Sequence, residues 1–196
     1  MMRTESQTMT YPQTAKALAT RWSHNAQLCS KCDISLLCKH KVTHRLHTIS
    51  FSSRVEVMFI GNAPNEQEYI NKQPSVGQEG ECLNTIIKEA LQPTTSYIIT
   101  NSILCTPFKD TDRDSIRAPN NIEINSCSSH IQSLVNEVRP KYFIALGRIA
   151  EKTCKLLKIP HYVYVLHPSR IMQSTKSDYE YDNAILNIKR YVYGNE

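Results

Sequence analysis

The sequence predicts an α/β fold, a three-layer α/β/α sandwich around a central four-stranded parallel sheet. Four short apolar runs, at 55–60, 97–104, 142–146 and 162–166, are unbroken rather than alternating, as strands buried on both faces are. Helical patterns lie between them, the strand-helix-strand order that builds a parallel sheet with helices on both sides. A chain of 196 residues, 40% hydrophobic, can bury one such core, so a single domain over 1–196 is expected.

In chain order, a first helix is expected over 11–22, ahead of the first apolar run at 55–60. Helical periodicity then covers 81–91, and the second strand, 97–104, follows. A polar stretch, 106–121, carries both charges and two prolines with no apolar period; loops of that length in compact domains are usually functional or mobile. Helix 122–138, strand 142–146, helix 149–157 and strand 162–166 complete the alternation, and a last helix runs over 181–191. If the strands are parallel, their ends deliver Gly61-Asn62, Asn101, Gly147-Arg148 and His167 to one rim, where open α/β sheets bind ligands.

Net charge is +5 and the pI about 8.8, a mild basic excess that suits a polyanion and also many ordinary enzymes. Residues 1–13 are polar without a signal-like apolar core, and no apolar run is long enough to span a membrane, so a soluble cytoplasmic protein is expected. Seven cysteines without an export signal argue against a disulfide framework and for metal ligation or burial. Cys82 and Cys154 fall inside helical patterns and read as small buried hydrophobes.

The most specific local signals are Phe59-Ile60-Gly61-Asn62-Ala63-Pro64-Asn65 after the first strand and Leu166-His167-Pro168-Ser169-Arg170 after the last. Beside them stand Cys29-x-x-Cys32, Cys105 just after Thr100-Asn101-Ser102-Ile103-Leu104, Cys127 after Glu123, and Pro140-Lys141 ahead of Leu146-Gly147. Over about 27–172 this set resembles the uracil-DNA glycosylase superfamily, in particular its iron-sulfur branch, family 4.

The resemblance implies that fold and a monofunctional DNA glycosylase, which hydrolyses the bond between deoxyribose and an extruded pyrimidine and leaves an abasic site. Such a reaction requires stabilising negative charge on the departing base and positioning a water. By resemblance His167 faces the base O2, Asn62 positions the water and Asn101 bonds the base edge. Cys29, Cys32, Cys105 and Cys127 would hold a [4Fe-4S] cluster of structural role. Tetrathiolate zinc is the alternative, and Cys38 with His40 offers a local zinc site using Cys29 and Cys32. Ser169 and Arg170 would contact DNA phosphate, and Ile171 would fill the gap left by the flipped nucleotide. Lys109, Arg113, Arg117 and Arg148 are further phosphate candidates. The implied partner is double- or single-stranded DNA with an extruded base, bound by a monomer with no membrane involved.

Three departures bear on substrate. Asn62 stands where family 4 has glutamate, and an amide orients water but cannot act as a base. Asn65 replaces a glycine near the base C5. Ser75, in Pro74-Ser75-Val76-Gly77, replaces the phenylalanine that stacks on uracil, a contact worth about 1–3 kcal/mol. Tyr69 or Phe108 could restore a stack from elsewhere. The expected substrate is a larger or more polar base, such as a hydroxymethylated or glycosylated cytosine in bacteriophage DNA, which would be an antiviral role. Plain uracil repair, and a protein that traps a modified base without turnover, are the alternatives.

Overall fold

The structure, a computed structural model, describes residues 15–34, 38, 41–47, 54–109 and 115–194. Five strands form one sheet: β1 (His44–His47), β2 (Val57–Gly61), β3 (Tyr97–Asn101), β4 (Tyr142–Leu146) and β5 (Val163–Val165), in the order β1-β3-β2-β4-β5. Four run parallel, with Gly61 opposite Asn101 and Leu146 opposite Val165. The expected parallel core is present, with one correction: β1 adds a fifth, antiparallel strand on the β3 edge. Its sequence, His-Arg-Leu-His, has no apolar run, because a half-exposed edge strand is not buried on two faces.

Alternation along the central strand separates two helical layers. Met58 and Ile60 face the layer of α1 (Ala15–Gln27), α4 (Asn121–Val138) and α5 (Arg148–Leu156), packing with Trp22, Ile131 and Cys154. Val57 and Phe59 face α3 (Gly77–Ala90) and α7 (Ser177–Tyr193), packing with Ile86, Ile171 and Ile188. All four β2 side chains are fully buried, which requires the unbroken apolar run that marked the strand. Two short helices complete the fold, α2 (Glu66–Asn71) after β2 and α6 (Pro168–Gln173) after β5. Helix α1 runs past the expected end at Trp22 to Gln27, and the expected turn before Ala15 lies outside the described residues.

The polar stretch before α4 is tied down at its C-terminal side. Arg117 grips Glu123 with two hydrogen bonds, 2.6 and 2.9 Å, and Glu123 closes a capping box with Asn120. Burial pushes the Glu123 carboxyl up, but Arg117 and the Asn120 N–H outweigh it and hold it below the usual carboxylate range. Arg117 is therefore engaged in the fold rather than offered to phosphate, and Arg113 lies outside the described residues. No helix among the described residues is long and apolar enough to cross a membrane.

Candidate active site

The parallel strands end on one rim, and three residues expected there converge. Asn62 follows β2, Asn101 ends β3, and His167 follows β5 as N-cap of α6. Gly147, between β4 and α5, is the point at which Asn62 and His167 meet. A Cβ added there would lie 3.1 Å from His167 Cβ and 3.5 Å from Asn62 Oδ1. Its backbone, φ 87 and ψ 175, belongs to a region essentially reserved for glycine.

Asn62 Oδ1 is buried and has no hydrogen-bond partner among the described residues. A buried acceptor left unpaired costs about 1–3 kcal/mol, which a bound donor such as a water would recover. Beside it, His167 Nδ1 accepts from the Ser169 main-chain N–H at 3.4 Å and contacts Ser169 Oγ at 2.9 Å. A main-chain N–H can only donate, so Nδ1 is an acceptor and the neutral ring carries its hydrogen on Nε2. Burial lowers the His167 pKa, partly opposed by the Glu79 charge, which favours this neutral Nε2–H form.

Asn101 is 6% exposed, and its Nδ2 donates to Glu68 Oε2 at 3.3 Å. Its Oδ1 lies against Gly61, where an added Cβ would come within 2.3 Å. Glu68 organises this floor: it accepts from the N–H groups of Asn65 at 3.2 Å and Ser75 at 2.5 Å. Burial raises its pKa, opposed by those N–H groups and by Asn101. Sequence reading missed Glu68, although Asn65-x-x-Glu68 ahead of a helix is a capping-box signal, and both halves of the box form.

Two cavities meet at His167. An inner one of about 30 Å³, roughly the share of one water, is lined by Gly61, Glu68, Ser75, Glu79, Asn101 and His167 among others. Among the described residues lining it there is no Phe, Tyr or Trp. An outer cleft of about 430 Å³ runs past Asn62, Arg148, Tyr164, Ser169 and Arg170. Tyr69 and Phe108, the aromatics that might have replaced the missing stack, pack edge to face on each other and line neither cavity.

Ser75 is 3% exposed and sits at φ 62, a left-handed conformation. Its hydroxyl donates toward Asn84 Oδ1 at 3.1 Å, and its carbonyl accepts from Arg45 Nη1 at 3.2 Å. Arg45 also bonds Asn84, so a polar network backs this wall.

Several expected roles are corrected. Ile171 is 2% exposed in the core against α7, so it cannot fill a gap in DNA; the neighbouring Met172 is 44% exposed. Asn65 caps α2 with its Oδ1 and reaches Glu79 Oε2 with its amide at 3.4 Å, so it meets the inner cavity through Glu68 and Glu79 rather than lining it. Ser169 directs its main-chain N–H and hydroxyl at His167 and sets the ring tautomer, while Arg170 and Arg148 are exposed along the outer cleft.

Of the four expected cysteine ligands, Cys29 and Cys32 follow α1, Cys105 follows β3 and Cys127 lies in α4, with the other three within electrostatic reach of Cys127. None of the four is in a disulfide among the described residues, and Cys105 and Cys127 are buried. Burial, then the nearby Cys32 and Cys29, push the Cys127 thiol up to about 12. A hydrogen bond with Cys38, then burial, push Cys105 up as well, with Cys127 also within electrostatic reach. Thiols that disfavour one another's ionisation suit a cationic centre, which reverses that effect. Among the described residues no three His, Cys, Asp or Glu side chains are close enough to hold a metal ion, so the donor set fits in kind without a closed shell. His40, of the alternative zinc set, lies outside the described residues. Cys154 is fully buried, as expected, and Cys82 half-buried.

A mostly parallel α/β sheet with an amide, a neutral histidine and a polar cavity at its strand ends has the layout of an α/β ligand-binding crevice, with cations along the adjoining cleft. The family follows from comparison: residues 49–188 match the model of the uracil DNA glycosylase superfamily, and the chain belongs to that superfamily. It is 34% identical over 121 residues to a type-4 uracil-DNA glycosylase of Saccharolobus solfataricus, covering 61% of this chain and 51% of that protein. It is 34% identical over 100 residues to one from Sulfurisphaera tokodaii, 50% and 43% of the two chains. With one from Archaeoglobus fulgidus it shares 26% over 122 residues, 62% and 56%. The chain thus spans about half the length of the curated relatives it matches.

Proposed function

We propose that this chain is a monofunctional DNA glycosylase that hydrolyses the N-glycosidic bond of an extruded pyrimidine and leaves an abasic site. The observation that carries the reading is that the orphaned Asn62 Oδ1 and the Cβ of His167, whose ring is held with its hydrogen on Nε2, both lie against Gly147. As the bond from C1′ to the base breaks, its electron pair leaves with the base and charge builds on O2. His167 Nε2–H donates to that oxygen, a contact that strengthens as the charge grows. Asn62 Oδ1 accepts from the water whose oxygen bonds to C1′. The water's proton passes to the base anion or to solvent, because an amide cannot hold it. Asn101 bonds the base edge from the floor of the cavity. No lysine stands at the site motifs, so strand cleavage through a Schiff base is not part of the proposal.

DNA is bound along the outer cleft, where Arg148 and Arg170 supply phosphate contacts and Met172 takes the wedge role. The inner cavity must widen to admit any base, since it holds about 30 Å³. The proposed substrate is a modified pyrimidine, such as a hydroxymethylated or glycosylated cytosine of bacteriophage DNA; Ser75, and a lining with no aromatic ring among the described residues, support it. Uracil is the second reading, favoured by the names of the relatives. A [4Fe-4S] cluster on Cys29, Cys32, Cys105 and Cys127, with zinc as the alternative, would cross-link the segment after α1 to the loop after β3 and to α4.

The test is alkaline cleavage of duplex and single-stranded oligonucleotides carrying one uracil, 5-hydroxymethylcytosine or glycosylated 5-hydroxymethylcytosine. Abasic sites from a modified cytosine in excess over uracil support the full reading. Robust excision of uracil alone keeps the enzyme and removes the modified-base assignment. Binding without turnover, or product limited to one equivalent of protein, makes it a trapping protein.

A further inference from the structure

The inner cavity carries a carboxylate that the proposed reaction does not use. Glu79, the third residue of α3, is half-buried and lines the cavity with Ser75, Asn101 and His167. An acidic residue in the first turn of a helix is ordinarily a cap or a response to the helix dipole. Here the N-cap is Val76, with no side-chain capping bond, and the Glu79 carboxylate instead meets Asn65 of the preceding helix at 3.4 Å.

The backbone holds residue 79 at this wall. Gly77 enters the helix at φ 73, and Gly80 lets the Ser75 main chain approach so closely that an added Cβ would sit 2.2 Å from Ser75 C. The charge of Glu79 also reaches the two other titratable groups of the cavity, His167 and Glu68. Glu68 already accepts from Asn65, Ser75 and Asn101. Among the described residues Glu79 makes a single, long hydrogen bond, so it is the carboxylate with acceptor capacity left for a ligand.

We propose that Glu79 is a specificity-determining residue of the cavity, its carboxylate accepting a hydrogen bond from an amino or hydroxyl group of the extruded base and so favouring donor-bearing pyrimidines over uracil. A carboxylate accepts only. Uracil offers two carbonyl oxygens and a single ring N–H, so a wall that bonds a donor elsewhere on the base meets an oxygen or nothing. A cytosine-type amine or a hydroxymethyl substituent brings the donor. Sites that hydrogen-bond a substrate group reject the analogue lacking it far more strongly than apolar pockets reject a missing methylene. With no aromatic side chain among the described residues lining the cavity, recognition falls to such polar contacts.

This inference rests on the glycosylase reading, and its test separates the two. Single-turnover excision is measured for the unaltered protein, Glu79→Gln and Glu79→Ala on duplexes carrying uracil, 5-hydroxymethyluracil, 5-hydroxymethylcytosine or glycosylated 5-hydroxymethylcytosine. The readout is the rate ratio of each donor-bearing base to uracil, which does not depend on the active fraction of a preparation. The unaltered protein is expected to favour a donor-bearing base. Glu79→Ala is expected to lower that ratio at least tenfold with faster uracil excision, and Glu79→Gln, which keeps one acceptor oxygen, to fall between. Ratios within twofold across the three proteins, or an unaltered protein that favours uracil, overturn the assignment while leaving the glycosylase standing. No abasic product from any duplex overturns both.

Discussion

Replacing Gly147 by alanine tests the geometry of the site more sharply than removing a reacting group, because it leaves every proposed chemical group in place. At φ 87 and ψ 175 a Cβ is strained whatever space surrounds it, at a cost of about 1–3 kcal/mol. At this chain length each kcal/mol corresponds to roughly 2–4 °C in Tm. The new methyl would also sit 3.1 Å from His167 Cβ and 3.5 Å from Asn62 Oδ1. Relief therefore pushes apart the donor and the water-positioning amide by a few tenths of an ångström. A misplacement of 1 Å can cost about 10²-fold in rate, so roughly a tenfold loss is expected here. Gly194 is the control: its backbone is similar, φ 83 and ψ −172, with nothing within 4 Å of an added Cβ. The assay is excision at a temperature where circular dichroism shows each variant folded. Gly147→Ala should lose about tenfold and Gly194→Ala nothing. Full activity in folded Gly147→Ala would refute the claim that Asn62 and His167 act as a spaced pair.

Further outcomes follow from the same structure. Arg117→Ala should destabilise the fold by about 1–3 kcal/mol, read as a lower urea midpoint, because the buried Glu123 loses both of its charged hydrogen bonds. Burial lowers the pKa of His44 from 6.5 to about 4. The unfolded chain therefore binds the extra proton first, and stability present above pH 6.5 should be lost progressively as pH falls toward about 4. A Tm in His44→Gln that falls as steeply as in the unaltered protein over that window would contradict this. Nitrogen-15 spectra of His167 should show the Nε2–H tautomer at neutral pH and a titration below the usual histidine range; Ser169→Ala should release the tautomer preference. Cys127→Ser should lower iron and sulfide content and visible absorption after anaerobic purification, whereas zinc without iron in the unaltered protein would replace the cluster assignment.

What could be read from sequence divides along physical lines. Strands buried on both faces leave an unbroken apolar signature, so the four parallel strands and the rim that gathers Asn62, Asn101 and His167 were legible. The edge strand β1 was not, since half-exposed pairing tolerates His-Arg-Leu-His. Residues whose role depends on direction rather than position were also hidden. Ile171 looked available one turn into α6, yet the helix turns it into the core and leaves Met172 outside. Asn65 and Ser169 stood at motif positions, but both direct their polar atoms at neighbouring protein groups. Glu68 and Glu79 carry no distinguishing mark in sequence, because charged residues in a first helical turn are usually solvated. Only the fold shows that the turns at Ser75 and Gly77 bring Glu79 to the cavity wall that Glu68 also lines.

The central claim is that His167 donates from Nε2 to a pyrimidine leaving its sugar. Its most direct test is single-turnover excision from modified-cytosine and uracil duplexes by the unaltered protein and by His167→Ala, with binding to each duplex measured in parallel. Abasic product is expected from the unaltered protein and a loss of about 10²–10³-fold in rate in the variant, with duplex binding retained. Undiminished excision by folded His167→Ala would contradict it.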